Sequence, residues 1–127
     1  MQDRHLFEYA VIRVMPRVER EEFINVGIIM YCNKLKYLNA AFKVVPAKLA
    51  ALCCELEVSV IEDNLNAIVN ICKGGKTAGP IGQLDLASRF RWLTATRSTV
   101  VQCSKVHPGF CKDADETFEK LMKELVL

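Results

Sequence analysis

Apolar and polar positions alternate from residue 6 to residue 15. Phe7, Tyr9, Val11, Arg13 and Met15 fall on one face, and Ala10, Ile12 and Val14 on the other. Side chains of an extended chain alternate in this way, and the β-branched enrichment supports a strand. Pro16 lacks the donor that a ladder needs, so it closes the strand. The next run, Phe23 to Cys32, is apolar on both faces, which predicts a strand covered on both sides. If Met15 pairs with Phe23, antiparallel counting sets Arg13 opposite Asn25 and Val11 opposite Gly27. Asn33-Lys34 reads as a two-residue turn into a third strand over Leu35 to Val45.

Helical spacing follows. Pro46 ends the third strand and suits the first turn of a helix over 47–56. Ser59 with Glu62 predicts a capping box ahead of Ile61, Leu65, Ile68, Val69 and Cys72, and Gly74-Gly75 stops that helix. The segment 73–82 reads as a flexible connection. Its Gly74-Gly75-Lys76-Thr77 lacks the earlier glycine, the preceding strand and the following helix of a phosphate-binding loop. A third helix over 84–96 presents Leu86, Phe90 and Leu93. Thr99 to Val106 alternates weakly as a fourth strand, and His107-Pro108-Gly109 breaks it. Asp113 with Glu116 forms a second capping box, opening a helix that buries Phe118, Leu121, Met122 and Leu125. On its outer side Glu116–Lys120 and Glu119–Lys123 are spaced to pair.

The fold class predicted is α+β: an antiparallel meander of about four strands packed with four helices, in a single domain spanning 1–127. One face of the sheet takes a layer of helices. The other takes a further helix or a second subunit, which would make a homodimer.

Composition narrows the class further. With 51% hydrophobic and 25% charged residues the chain has a globular balance, not a disordered one. A net charge of +2 does not demand a nucleic-acid partner, which is allowed but not favoured. No apolar run approaches a membrane span and no signal-peptide core opens the chain, so a cytoplasmic protein without membrane contact is expected. The six cysteines are scattered through apolar runs and read as reduced core filler, not a disulfide framework.

Chemistry concentrates at the first hairpin, where Arg13, Arg17, Arg20, Glu21, Glu22 and Asn25 crowd a junction that needs only a turn. A guanidinium inside an apolar strand is costly unless partnered. Arg13 and Arg20 can fork a phosphate or carboxylate, with Asn25 as a neutral contact. The structural alternative is an internal ion pair with Glu22. A second cluster, Arg89, Arg91, Arg97 and Ser98 around Trp92, suits stacking with phosphate contact, or equally a solvated basic helix face. His107 is the candidate catalytic residue, a general acid or base. Cys103, His107 and Cys111, spaced across a strand and a turn, do not converge as zinc ligands, so neither metal nor cofactor is expected.

The segment YAVIRVMPRVEREEFINVGIIMYC, with RFRWLTATRSTVVQCSKVHPGF downstream, resembles the bacterial family catalogued as domain of unknown function 3037 over nearly the whole chain. The resemblance implies a bacterial, cytoplasmic, stand-alone domain. It also implies recurring polar positions at Arg13, Arg20, Glu22, Asn25, Arg97 and His107, and a kinase-like partner protein in some genomic settings. It implies no reaction. The expected ligand-binding set is therefore Arg13, Arg20, Glu22, Asn25, Arg97, Ser98 and His107, in a binding or accessory module that recognises an anionic group on a small molecule or partner protein. The alternative is an enzyme acting on phosphoesters or nucleic acid, using His107 with the arginine cluster.

Overall fold

A computed structural model describes residues 4–53, 55–97 and 99–127. The fold is α+β, with a five-stranded antiparallel sheet at its centre. Strands β1 (His5–Val14), β2 (Ile24–Cys32) and β3 (Tyr37–Phe42) form the expected meander. Helices α1 (Pro46–Leu52), α2 (Val58–Lys73), the one-turn α3 (Gly79–Gly82) and α4 (Leu86–Thr94) follow. Two short strands, β4 (Val101–Cys103) and β5 (His107–Cys111), return the chain to the sheet, and α5 (Ala114–Leu125) ends it.

The alternation along β1 sorts its side chains into two separate cores. Ala10, Ile12 and Val14 pack with Val26, Ile29 and Tyr31 beneath Leu49, Leu65 and Phe90 of α1, α2 and α4. Phe7 and Val11 pack with Ile28, Met30 and Cys32 beneath Phe118 of α5. The second cover of the sheet is thus α5. Burial on both faces explains why β2 is apolar throughout.

Several boundaries differ from the sequence reading. Residues 33–36 form a longer turn, closed by the Lys36 amide donating to the Asn33 carbonyl at 3.2 Å, and β3 begins only at Tyr37. Helix α2 starts at Val58 with Glu57 at its N-cap and no side-chain cap, so the Ser59–Glu62 box does not form. Asp113 does cap α5, its carboxylate accepting the Glu116 amide at 3.1 Å, which is the N-cap half of the expected box. The outer lysines of α5 make no ion pair among the described residues, as expected for long, solvated side chains.

The fourth strand anticipated over 99–106 is the shorter β4, and β5 follows it as an unanticipated fifth; both are antiparallel to β1 on the side away from β2. Between them, Ser104 places its hydroxyl against the strand, accepting the Val11 amide at 2.9 Å. His107-Pro108-Gly109 belongs to β5 and is not a break. An edge strand tolerates proline because its outward side carries no ladder bonds. The segment 73–82, read as a loop, holds a 3-10 turn (Lys76–Ala78) and α3.

One irregularity positions the site. Ile12 pairs with Gly27 but Arg13 pairs with Asn25, so Val26 is an extra residue in β2. This bulge turns Val26 into the core beneath α1, α2 and α4 and sets Asn25, in its place, opposite Arg13. The Arg13–Asn25 pairing follows the count from the hairpin end. Beyond the bulge Val11 faces Ile28, not Gly27.

Candidate functional site

The centre of the site is a row of three polar residues across three neighbouring strands. Arg13 on β1 pairs with Asn25 on β2 and with Gln102 on β4. Directly opposed residues of antiparallel strands share a face, here the face that α5 covers. The Asn25 amide nitrogen donates to the Leu125 carbonyl at the end of α5, at 3.2 Å. That bond fixes the amide's orientation and leaves its oxygen buried without a partner. Arg13 Nε and Gln102 Nε2 are likewise buried and unpartnered. Buried polar atoms are nearly always satisfied, so such atoms need an explanation. Among the described residues these three atoms are the full set, and all fall in this one row. The Arg13 guanidinium lies over the Phe23 ring, 3.9 Å from its centroid. The ring offers it a π face but no hydrogen-bond acceptor.

The hairpin tip behaves differently. Arg20 ends a 3-10 turn (Val18–Arg20) and forks onto Glu22, with Nε to Oε1 at 2.6 Å and Nη2 to Oε2 at 3.3 Å. The Arg20 hydrogen bond, reinforced by its charge, holds the Glu22 carboxyl below the usual range, and Glu22 in turn raises Arg20. Both side chains are more than half exposed. They line an open cleft of about 330 Å³ against α1, together with Arg17 and Glu55. Two guanidiniums there meet two carboxylates, so the charges of the cleft largely cancel. Arg13 and Arg20 therefore do not form one fork: Arg13 faces the α5 side, and Arg20 is already matched by Glu22.

The second cluster also separates. Arg97 donates to the Leu93 and Trp92 carbonyls at the end of α4 and stacks on Trp92, its guanidinium carbon 4.5 Å from the ring centroid. It caps a helix terminus, a favourable place for a cation. Burial pushes the Cys103 thiol up to about 11, against the pull of Arg97 and, less strongly, of Arg13. Arg91 is paired with Glu8 by two bonds of 3.0 and 2.9 Å. Arg89, read as part of a phosphate-contacting cluster or of a solvated basic face, is instead buried and donates to the carbonyls of Leu84, Ile71 and Cys72. Ser98 lies outside the described residues. His107 pairs with Tyr9, their rings 5.4 Å apart. It shares a face with Arg13 but sits four residues along β1 from that row, about 13 Å by strand rise. A single phosphoryl group cannot touch both.

A family model described as protein of unknown function (DUF3037) matches residues 9–126. The chain belongs to this family. No curated protein and no solved structure matches it. Within this DUF3037 member the row unites two of the expected site residues, Arg13 and Asn25, with one that the sequence reading missed. Gln102 sits in an alternating segment, where a lone polar residue reads as solvent-facing. Nothing local marks its strand as the neighbour of Arg13. No helix among the described residues is long and apolar enough to cross a membrane.

Proposed function

We propose that this DUF3037 protein is a binding module that recognises an anionic group at the Arg13–Asn25–Gln102 row. What supports this reading is the row of unpartnered buried polar atoms, centred on an arginine that has no carboxylate partner among the described residues. An unmet guanidinium N–H and the unmet Gln102 amide donor beside it suit an anionic oxygen. The unmet Asn25 oxygen suits a donor on the same ligand. Hydrogen phosphate, or a carboxylate bearing an adjacent N–H or O–H, offers both. The Phe23 ring orients the guanidinium in advance and so lowers the ordering cost of binding.

The direct test is nuclear magnetic resonance of the Arg13 Nε–H and of the Asn25 and Gln102 side-chain amides during titration with inorganic phosphate and with lactate. These three signals are expected to shift together and to saturate. Arg13→Met keeps an apolar contact with Phe23 and should stay folded, while weakening the shifts more than tenfold through loss of a charge-assisted bond of about 1.5–3 kcal/mol. Unmoved signals in the wild type would remove the proposal. An unfolded Arg13→Met variant would assign the arginine to the architecture instead.

A further inference from the structure

A second cavity, of about 330 Å³, opens at the base of the hairpin where β2, the β3–α1 connection and the end of α5 meet. Its charged side chains are Lys43 and Lys48, both exposed, and the terminal residue Leu127 also lines it. Ile24, Val26, Val45 and Leu49 supply much of its apolar wall. Backbone bonds set the two lysines on either side of Pro46. The Lys43 amide donates to the Val26 carbonyl at 2.7 Å, and the Lys48 amide to the Val45 carbonyl at 2.9 Å. Among the described residues no carboxylate forms an ion pair with either. The cleft at the hairpin tip, by contrast, carries balanced charge.

We infer that this cavity is a binding site for a small amphipathic anion, a carboxylate with an aliphatic body. The apolar wall would take the body, and the two ammonium groups at the rim would take the carboxylate. Each half of this complementarity is modest alone. Burial of the chain supplies affinity, and the lysines select its charge. The volume is at the lower end of small-molecule sites, which favours one short chain over a folded or multi-ring ligand.

The site differs from the row at Arg13, although Asn25 borders both. It can therefore succeed or fail independently. Titration with octanoate is expected to move the backbone amide signals of Val26, Val45 and Leu49 and to leave Arg13 Nε–H and the Gln102 side-chain amide in place. Octylamine, with the same body and the opposite charge, should bind at least tenfold more weakly. The double variant Lys43→Ala/Lys48→Ala removes only exposed side chains and should keep the fold, verified by circular dichroism. It should weaken octanoate about tenfold and erase the preference over octylamine. Equal binding of the two probes, unchanged octanoate affinity in the double variant, or shifts mapping elsewhere would each overturn the inference.

Discussion

Gly27→Ala is expected to cost the fold about 3 kcal/mol or more, read as a fall in the urea midpoint. A Cβ added at Gly27 would lie 2.4 Å from the Ala41 carbonyl oxygen and 3.1 Å from the Phe42 Cβ. The oxygen belongs to the backbone of β3, which is laddered to β2 from Gly27 to Cys32, so it cannot step aside without breaking the sheet. Glycine is required here by close approach between strands, next to a bulge, and not by an unusual φ. Gly109→Ala is the control. Its added Cβ would meet the far end of the Phe7 ring, Cζ at 2.6 Å, and a side chain can swing about its Cα–Cβ bond where a laddered strand cannot, so about 1–2 kcal/mol is expected there. A Gly27→Ala midpoint no lower than that of Gly109→Ala would refute the tight β2–β3 approach. Because the bulge beside Gly27 sets Asn25 opposite Arg13, the same variant should also displace the Asn25 side-chain amide signal.

That bulge shows where sequence reasoning reached its limit. Counting from the hairpin end reaches the Arg13–Asn25 pair because the ladder is regular up to that point. The extra residue, Val26, is apolar like most of the run Phe23 to Cys32, so the pattern of the run does not reveal that the register changes. The two-sided burial of β2 was legible because it leaves a continuous apolar run. The edge strand β5 was not: Pro108-Gly109 reads as a break, and only its place beside β1 makes it a strand. Chemistry was legible as residue type more than as partnership. Three arginines near a turn suggested one clamp, but side-chain direction divides Arg13 from Arg20, and local geometry gives Arg20 its own carboxylate. Arg89 looked like part of a basic helix face. Two of its three acceptors lie at the end of another helix, and local pattern does not announce such contacts.

Arg89→Met should be the more damaging change outside the sheet, with a loss of about 3–5 kcal/mol. Arg89 as a residue is only 9% exposed, and its guanidinium has no carboxylate partner among the described residues. Its charge is held by three carbonyls instead: Leu84 through Nε, and Ile71 and Cys72 through Nη1, each at 2.9 Å. Two of these are terminal carbonyls of α2, which lack intrahelical donors and carry the negative end of the helix dipole. Arg89 thus joins the end of α2, the segment entering α4 and α4 itself. Gly74 completes the arrangement, since a Cβ there would stand 2.6 Å from Nη1. Methionine preserves much of the packing but leaves the carbonyls unmet. Damage should begin locally, with faster amide hydrogen exchange at the end of α2 and through residues 74–84. Cys72 reports on the same opening. Burial pushes its thiol up to about 12, against the pull of Arg89, so in the wild type it should resist alkylation at neutral pH. In Arg89→Met, mass spectrometry should find Cys72 alkylated at least tenfold faster. Arg89→Lys should fall between the two, since an ammonium restores the charge but not the planar reach to both sides. Unchanged exchange and Cys72 labelling in Arg89→Met would mean that the α2 terminus does not depend on this guanidinium.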